Sequence, residues 1–159
     1  MQGVENAYML LAHQLQSAID NNDMIVVKDL SALLDIRRIH FVEMNEETDR
    51  KISKPVEIYV AEHGSVAVME FILDIGGDIN ARDSDGNTPL MIAVNEERKD
   101  MISFLLKQPD IQIFIKNNYG ETAETIAQFT NDDDIISSLN TVLQNEKTPV
   151  MFDSLHCYM

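Results

Sequence analysis

At 159 residues and 45% hydrophobic content, the chain is long enough for one domain with a buried core, and its composition excludes wholesale disorder. A formal net charge of −15 repels phosphate backbones and anionic membrane surfaces, so neither nucleic acid nor membrane is an expected partner; the charge serves solubility or steers a basic protein. The single cysteine, Cys157, excludes an intramolecular disulfide and an all-cysteine metal cage; with no basic N-terminal region and no apolar run of membrane-spanning length, the expected location is cytoplasmic.

Residues 5–36 read as a helical hairpin. Leu10, Leu11, Leu15, Ala18 and Ile19 recur at helical spacing, and Asn21-Asn22-Asp23 breaks the pattern with turn residues. Asp23 is placed to cap a second helix, whose apolar face is expected to carry Ile25, Val26, Leu30, Leu33 and Leu34. Gln14, Gln16 and Asp20 give the first helix a polar outer side, as a terminal unit of a stack requires. Residues 37–53 are charged around Ile39, Phe41 and Val42 and contain no glycine turn. They read as a long irregular connection with a short extended piece at Ile39 to Val42.

A second helical pair is expected over 54–75, broken at Gly64 and ended by Gly76-Gly77, where a left-handed residue is commonly required. The third, 88–108, opens on Asp83-Ser84-Asp85-Gly86-Asn87-Thr88-Pro89-Leu90. Asp85-Gly86 supplies a tight turn, Thr88 can cap the exposed helix donors, and Pro89 suits the first helical turn. Glu97 stands where the preceding pair has Gly64. The fourth pair, 121–143, ends in a helix started by Asn131-Asp132-Asp133-Asp134, whose carboxylates favour the positive end of the helix dipole. Residues 144–159 lose periodicity, contain Pro149, and read as a tail. Gly86 and Gly120, Thr88 and Thr122, and Ala93 and Ala127 each recur at a spacing of 34, which marks a solenoid of stacked helical pairs.

The segment from Leu73 to Leu90, with Gly76-Gly77, Asp78-Ile79-Asn80 and Gly86-Asn87-Thr88-Pro89-Leu90, closely resembles the join between two ankyrin repeats. The resemblance runs through Lys54 to Asn140 and implies an all-α ankyrin-repeat solenoid with short hairpin loops and capping terminal repeats. Met91 replaces the family's usual histidine, Ala123 its proline and Glu124 its leucine, as in degenerate terminal repeats. The resemblance also implies a concave face made of hairpin tips and first helices. Carried onto this chain, that face consists of Arg82, Ser84, Asp85 and Asn87 at one tip and Lys116, Asn118, Tyr119 and Glu121 at the next. The first helices add Glu62 and His63, Asn95 and Glu96, and Phe129 and Thr130.

Residues with chemistry of their own are sparse. His13, His40, His63 and His156 form no His-x-x-x-His pair, and Cys157 beside His156 lies in the tail. Asp132 to Asp134 read as a solvated helix cap before a cation site. No catalytic residues, metal or cofactor are expected. The expected function is non-catalytic binding of another protein, a basic one by charge, by a chain that is a monomer on its own. Such binding fits an inhibitor or an immunity protein that neutralises a toxin, an analogy at the level of fold. The alternatives are an ankyrin scaffold or effector docking onto a signalling protein and, in another class, an enzyme or metal sensor. Tyr119 and Phe129 stand out as aromatic anchors, Phe129 competing with a role in the core. Arg82, Ser84, Asp85 and Asn87, which the turn and helix framework does not require, are the expected focus of recognition.

Overall fold

A computed structural model describes residues 2–35, 38–45, 50–130 and 132–147. Among the described residues, four helical pairs follow one another. The first comprises α1 (Gln2–Asp20) and α2 (Met24–Leu33). A two-stranded antiparallel hairpin, β1 (His40–Asn45) and β2 (Arg50–Pro55), leads into α3 (Val56–His63) and α4 (Val66–Asp74). The third pair is α5 (Pro89–Asn95) and α6 (Lys99–Leu105), and the fourth is α7 (Ala123–Thr130) and α8 (Asp133–Lys147). First helices form one layer, α1 on α3, α3 on α5 and α5 on α7. Second helices form the other, α4 on α6 and α6 on α8. The molecule is thus a helical solenoid, and its core lies between the two layers.

Local chemistry sets the helix starts. Asp23 Oδ1 accepts the N–H groups of Ile25 and Val26 at 3.2 Å, and Ser65 Oγ accepts that of Val68 at 3.3 Å. Thr88 Oγ1 accepts the Met91 N–H at 3.4 Å with Pro89 in the first turn. Asp132 Oδ1 accepts the Asp134 and Ile135 N–H groups at 3.0 and 3.3 Å. Each satisfies donors that the first helical turn leaves without an intrahelical acceptor. Met101, Ile102 and Leu105 from α6 and Val68, Met69 and Ile72 from α4 fill the interior.

Three sequence expectations change here. Residues 37–53, expected as an irregular connection, hold β1 and most of β2, with His40 opposite Pro55 and Asn45 opposite Arg50. Phe41 anchors the hairpin base on the Tyr59 ring at 4.7 Å between centroids, and the Tyr59 hydroxyl donates to Asp20 at 2.6 Å. The apolar face of α2 is also rotated from the expected one. Val27, Leu30 and Leu34 point inward at helical spacing, leaving Ile25 and Leu33 exposed, and Leu10 of α1 is exposed with them. The outer side of the first pair is therefore more apolar than a polar cap. Finally, α8 runs on to Lys147, beyond the expected start of the tail at 144; residues 148–159, with His156 and Cys157, lie outside the described residues.

Candidate functional site

Two successive hairpin tips, residues 78–87 and 110–121, are joined by a ladder of polar contacts. Asn80 Nδ2 donates to the Asp110 carbonyl and Asn80 Oδ1 accepts the Gln112 N–H, both at 2.9 Å. Arg82 Nη2 donates to the Lys116 carbonyl at 2.7 Å, and its Nε donates to the Gly86 carbonyl at 3.2 Å. Asn118 Nδ2 donates to the Ser84 carbonyl at 3.0 Å, while the Asn118 N–H reaches the Asp85 carbonyl at 2.9 Å. Asn117 Nδ2 donates to Asn87 Oδ1 at 3.0 Å, and Asn87 Nδ2 donates to Asp83 Oδ2 at 3.1 Å. Gly86 sits at φ +80° inside this ladder, where a Cβ would come within 2.7 Å of both Arg82 Nη2 and Asn118 Oδ1. Only glycine fits both the backbone and the space.

These contacts correct the expectation that Arg82 and Asn87 are independent of the framework. Their side chains belong to it, together with Asn118, whereas Ser84 and Asp85 enter it only through their backbone carbonyls. Sequence reasoning missed this because each tip looks solvent-facing until the next tip is laid beside it.

Beside the ladder, the first-helix layer opens a groove of about 480 Å³ between α5 and α7. Six of the expected residues line it: Asn87, Asn95, Tyr119, Glu121, Phe129 and Thr130. Tyr119 and Phe129 are 68% and 78% exposed, so Phe129 has no core role. The Tyr119 hydroxyl lies 3.5 Å from Asp85 Oδ1. Glu121 Oε2 accepts Asn117 Nδ2 at 2.9 Å, and the Thr130 hydroxyl donates to the Ala127 carbonyl at 2.9 Å. Met91, Ile92, Glu97, Asn117 and Ile126 complete the lining and are not among the site residues expected from sequence. The repeat could have revealed two of them, because Ile92 and Ile126 occupy one position in successive repeats.

The remaining expected residues lie outside this lining. Glu62 pairs with Lys54 and lies 3.5 Å from His63 Nε2, and the His63 ring packs on Tyr59. Glu96 accepts Asn95 Nδ2 at 3.0 Å at the end of α5. Lys116 and Ser84 are exposed on their tips.

Electrostatically, the groove lining holds two carboxylates, Glu97 and Glu121, and no cation. The two cations that follow Glu97 are engaged elsewhere. Arg98 Nη1 donates to the Val60 and Ala61 carbonyls at 3.4 and 3.2 Å. Lys99 lies 2.8 Å from both Asp132 and Asp134. Hydrogen bonding to these carboxylates holds the Lys99 ammonium well above the usual lysine range, and the same contact lowers Asp132. Glu57 is raised, chiefly by burial, against the Asp78 N–H that its Oε1 accepts at 2.9 Å. It stands at the repeat position of Met91, away from the groove. Among the described residues no group of three or more His, Cys, Asp or Glu could hold a metal ion. None of their helices is long and apolar enough to cross a membrane. The groove thus offers apolar floor, amides, exposed aromatic rings and carboxylates, the chemistry of recognition.

A family model described as ankyrin repeats, three copies, matches residues 58–151. The chain is 28% identical over 138 residues to I-Kappa-B like protein G2 from Microplitis demolitor bracovirus, covering 85% of this chain and 74% of that protein. It is 52% identical over 46 residues to Oxysterol-binding protein homolog 1 from Saccharomyces cerevisiae, 29% of this chain and 4% of that protein. Rabankyrin-5 from Homo sapiens is 29% identical over 77 residues, 48% of this chain and 6% of that protein. The chain therefore spans only a small part of the latter two relatives.

Proposed function

Because this chain belongs to the ankyrin-repeat family, whose repeats serve protein–protein interaction and are typically non-catalytic, we propose that it binds a basic partner protein through the groove between α5 and α7. The observation that carries the reading is the pair of exposed rings, Tyr119 and Phe129, on one concave surface. Aromatic side chains give large contact area at low conformational cost and are enriched among residues that dominate binding. The net charge of −15 supports a basic partner, whose approach it would accelerate. Met91, Ile92 and Ile126 give the rings an apolar floor to complete.

A blocking role is the mode we favour, supported by the likeness to a protein named I-Kappa-B like along 85% of this chain. Docking as a scaffold needs the same groove and differs only in what becomes of the partner. A cytoplasmic location remains part of this proposal.

The test compares proteins captured by the wild-type chain and by a Tyr119→Ala/Phe129→Ala double variant of equal thermal stability. The reading expects a partner that is lost with the double variant and released by moderate salt. Partners retained equally by both chains sink the groove, and a salt-insensitive partner sinks the electrostatic component.

A further inference from the structure

Resting on the groove as the binding surface, we propose that it contains a subsite for one cationic side chain of the partner, an arginine or a lysine, formed by Glu97 and Phe129 at the C-terminal ends of α5 and α7, with Tyr119 and Glu121 lining the opposite end of the groove. The carboxylate of Glu97 has no hydrogen-bond or ion-pair partner among the described residues, although it lines the groove. Lys99, two positions on, holds Asp132 and Asp134 instead, and Arg98 is turned onto the carbonyls of α3. Glu121 gives one oxygen to Asn117 and keeps the other. The two cations that follow Glu97 in the chain are thus engaged, and the two groove carboxylates retain unused acceptor capacity.

The exposed Phe129 ring supplies the second half of the subsite. An aromatic face attracts a cation, most strongly once water is excluded. The Ile92 and Ile126 surface suits the methylene stem of a long basic side chain or an apolar neighbour in the bound segment. A neutral segment covering the same groove would desolvate Glu97 and Glu121 without compensation. Selectivity therefore comes from rejecting neutral and acidic segments as well as from attracting basic ones.

The test pans displayed random dodecapeptides on the full chain at physiological ionic strength and keeps clones lost on Phe129→Ala. The expected clones carry an arginine or lysine next to an apolar residue. For a synthetic peptide of that kind, replacing arginine by citrulline, its uncharged isostere, is expected to weaken binding about tenfold, and Glu97→Gln to do the same. Combining the two changes adds little, and Glu70→Gln on the α4 surface has no effect. Phe129-dependent clones without basic enrichment, or tolerant of citrulline, overturn the subsite and leave the groove intact. Equal effects of Glu97→Gln and Glu70→Gln also overturn it, since they reveal only general attraction to an acidic protein. Absence of any Phe129-dependent clone overturns the groove itself.

Discussion

The guanidinium of Arg82 donates to the carbonyl of Lys116 at 2.7 Å, joining two hairpin tips that are one repeat apart. Its Nε also closes the Arg82–Gly86 turn at 3.2 Å. Arg82→Ala is expected to lower the unfolding free energy by about 1–2 kcal/mol, the range for hydrogen bonds to a charged group at a partly solvated site. Arg82→Lys restores little, because an ammonium lacks the planar fork that reaches both carbonyls. Urea denaturation checks both. Unchanged stability in Arg82→Ala would mean that the tip ladder is dispensable.

Gly64 and Glu97 end the first helices of successive pairs for different reasons. Gly64 has an ordinary φ of −80°, but a Cβ there would come within 2.7 Å of Val60 Cγ1 and 3.1 Å of the Val60 Cα. Gly64→Ala is expected to cost about 1–2 kcal/mol from this overpacking. Glu97 instead holds φ +54°, where a Cβ is disfavoured. Glu97→Gly should stabilise the chain by about 0.5 kcal/mol, the relief of that strain exceeding the entropy gained by the unfolded glycine. Opposite shifts in thermal midpoint are the expected result, and a destabilised Glu97→Gly would contradict the backbone argument.

Glu57 gives the chain a distinctive pH dependence. Burial raises its carboxyl above the ordinary value of 4.5, so the native state binds the proton more tightly than the unfolded chain. Its contribution is fully present below pH 4.5 and is lost as pH rises through the raised folded value. Glu57→Gln keeps an acceptor for the Asp78 N–H and removes the titration. Wild-type stability, measured against that variant, should therefore fall as pH rises above 4.5 and then level off. A difference that stays flat between pH 4 and pH 8 would remove Glu57 as the cause (roughly the span over which a shifted carboxyl titrates).

Phe129→Ala and Tyr119→Ala test exposure directly. With 78% and 68% of their surface open, neither ring contributes much to the core. Each substitution is expected to change stability by no more than about 0.5 kcal/mol. Calorimetry of the two variants checks this. A loss of several kcal/mol would place the ring in the interior instead of on the groove.

Much of this architecture is legible in the residues. Gly86, Thr88 and Pro89 announce a turn, a cap and a helix start within a few positions, and the structure uses them that way. Asp23 caps α2 as its place after Asn21-Asn22 implies. Ile25 and Leu33 were misplaced because an apolar residue on a short helix fits either of two neighbouring faces. Contact with α1 adds Val27 to the expected Leu30 and Leu34 and leaves Ile25 and Leu33 outside. The exposure of Phe129 was equally undecidable, since a helix-end aromatic suits a core or a rim.

By itself the sequence determined the 34-residue repeat and the acidic character, which are read from residue order and residue type alone, and the helix caps, which depend on neighbours within about one helical turn. Tertiary structure alone decided the pairing of β1 with β2, the absorption of Arg82, Asn87 and Asn118 into a ladder between tips, and the groove that gathers Glu97, Glu121, Tyr119 and Phe129. Those features are contacts between strands, tips or helices that only the fold brings side by side. Whether a polar side chain at a tip is free for a partner depends on what the next repeat places within hydrogen-bonding reach.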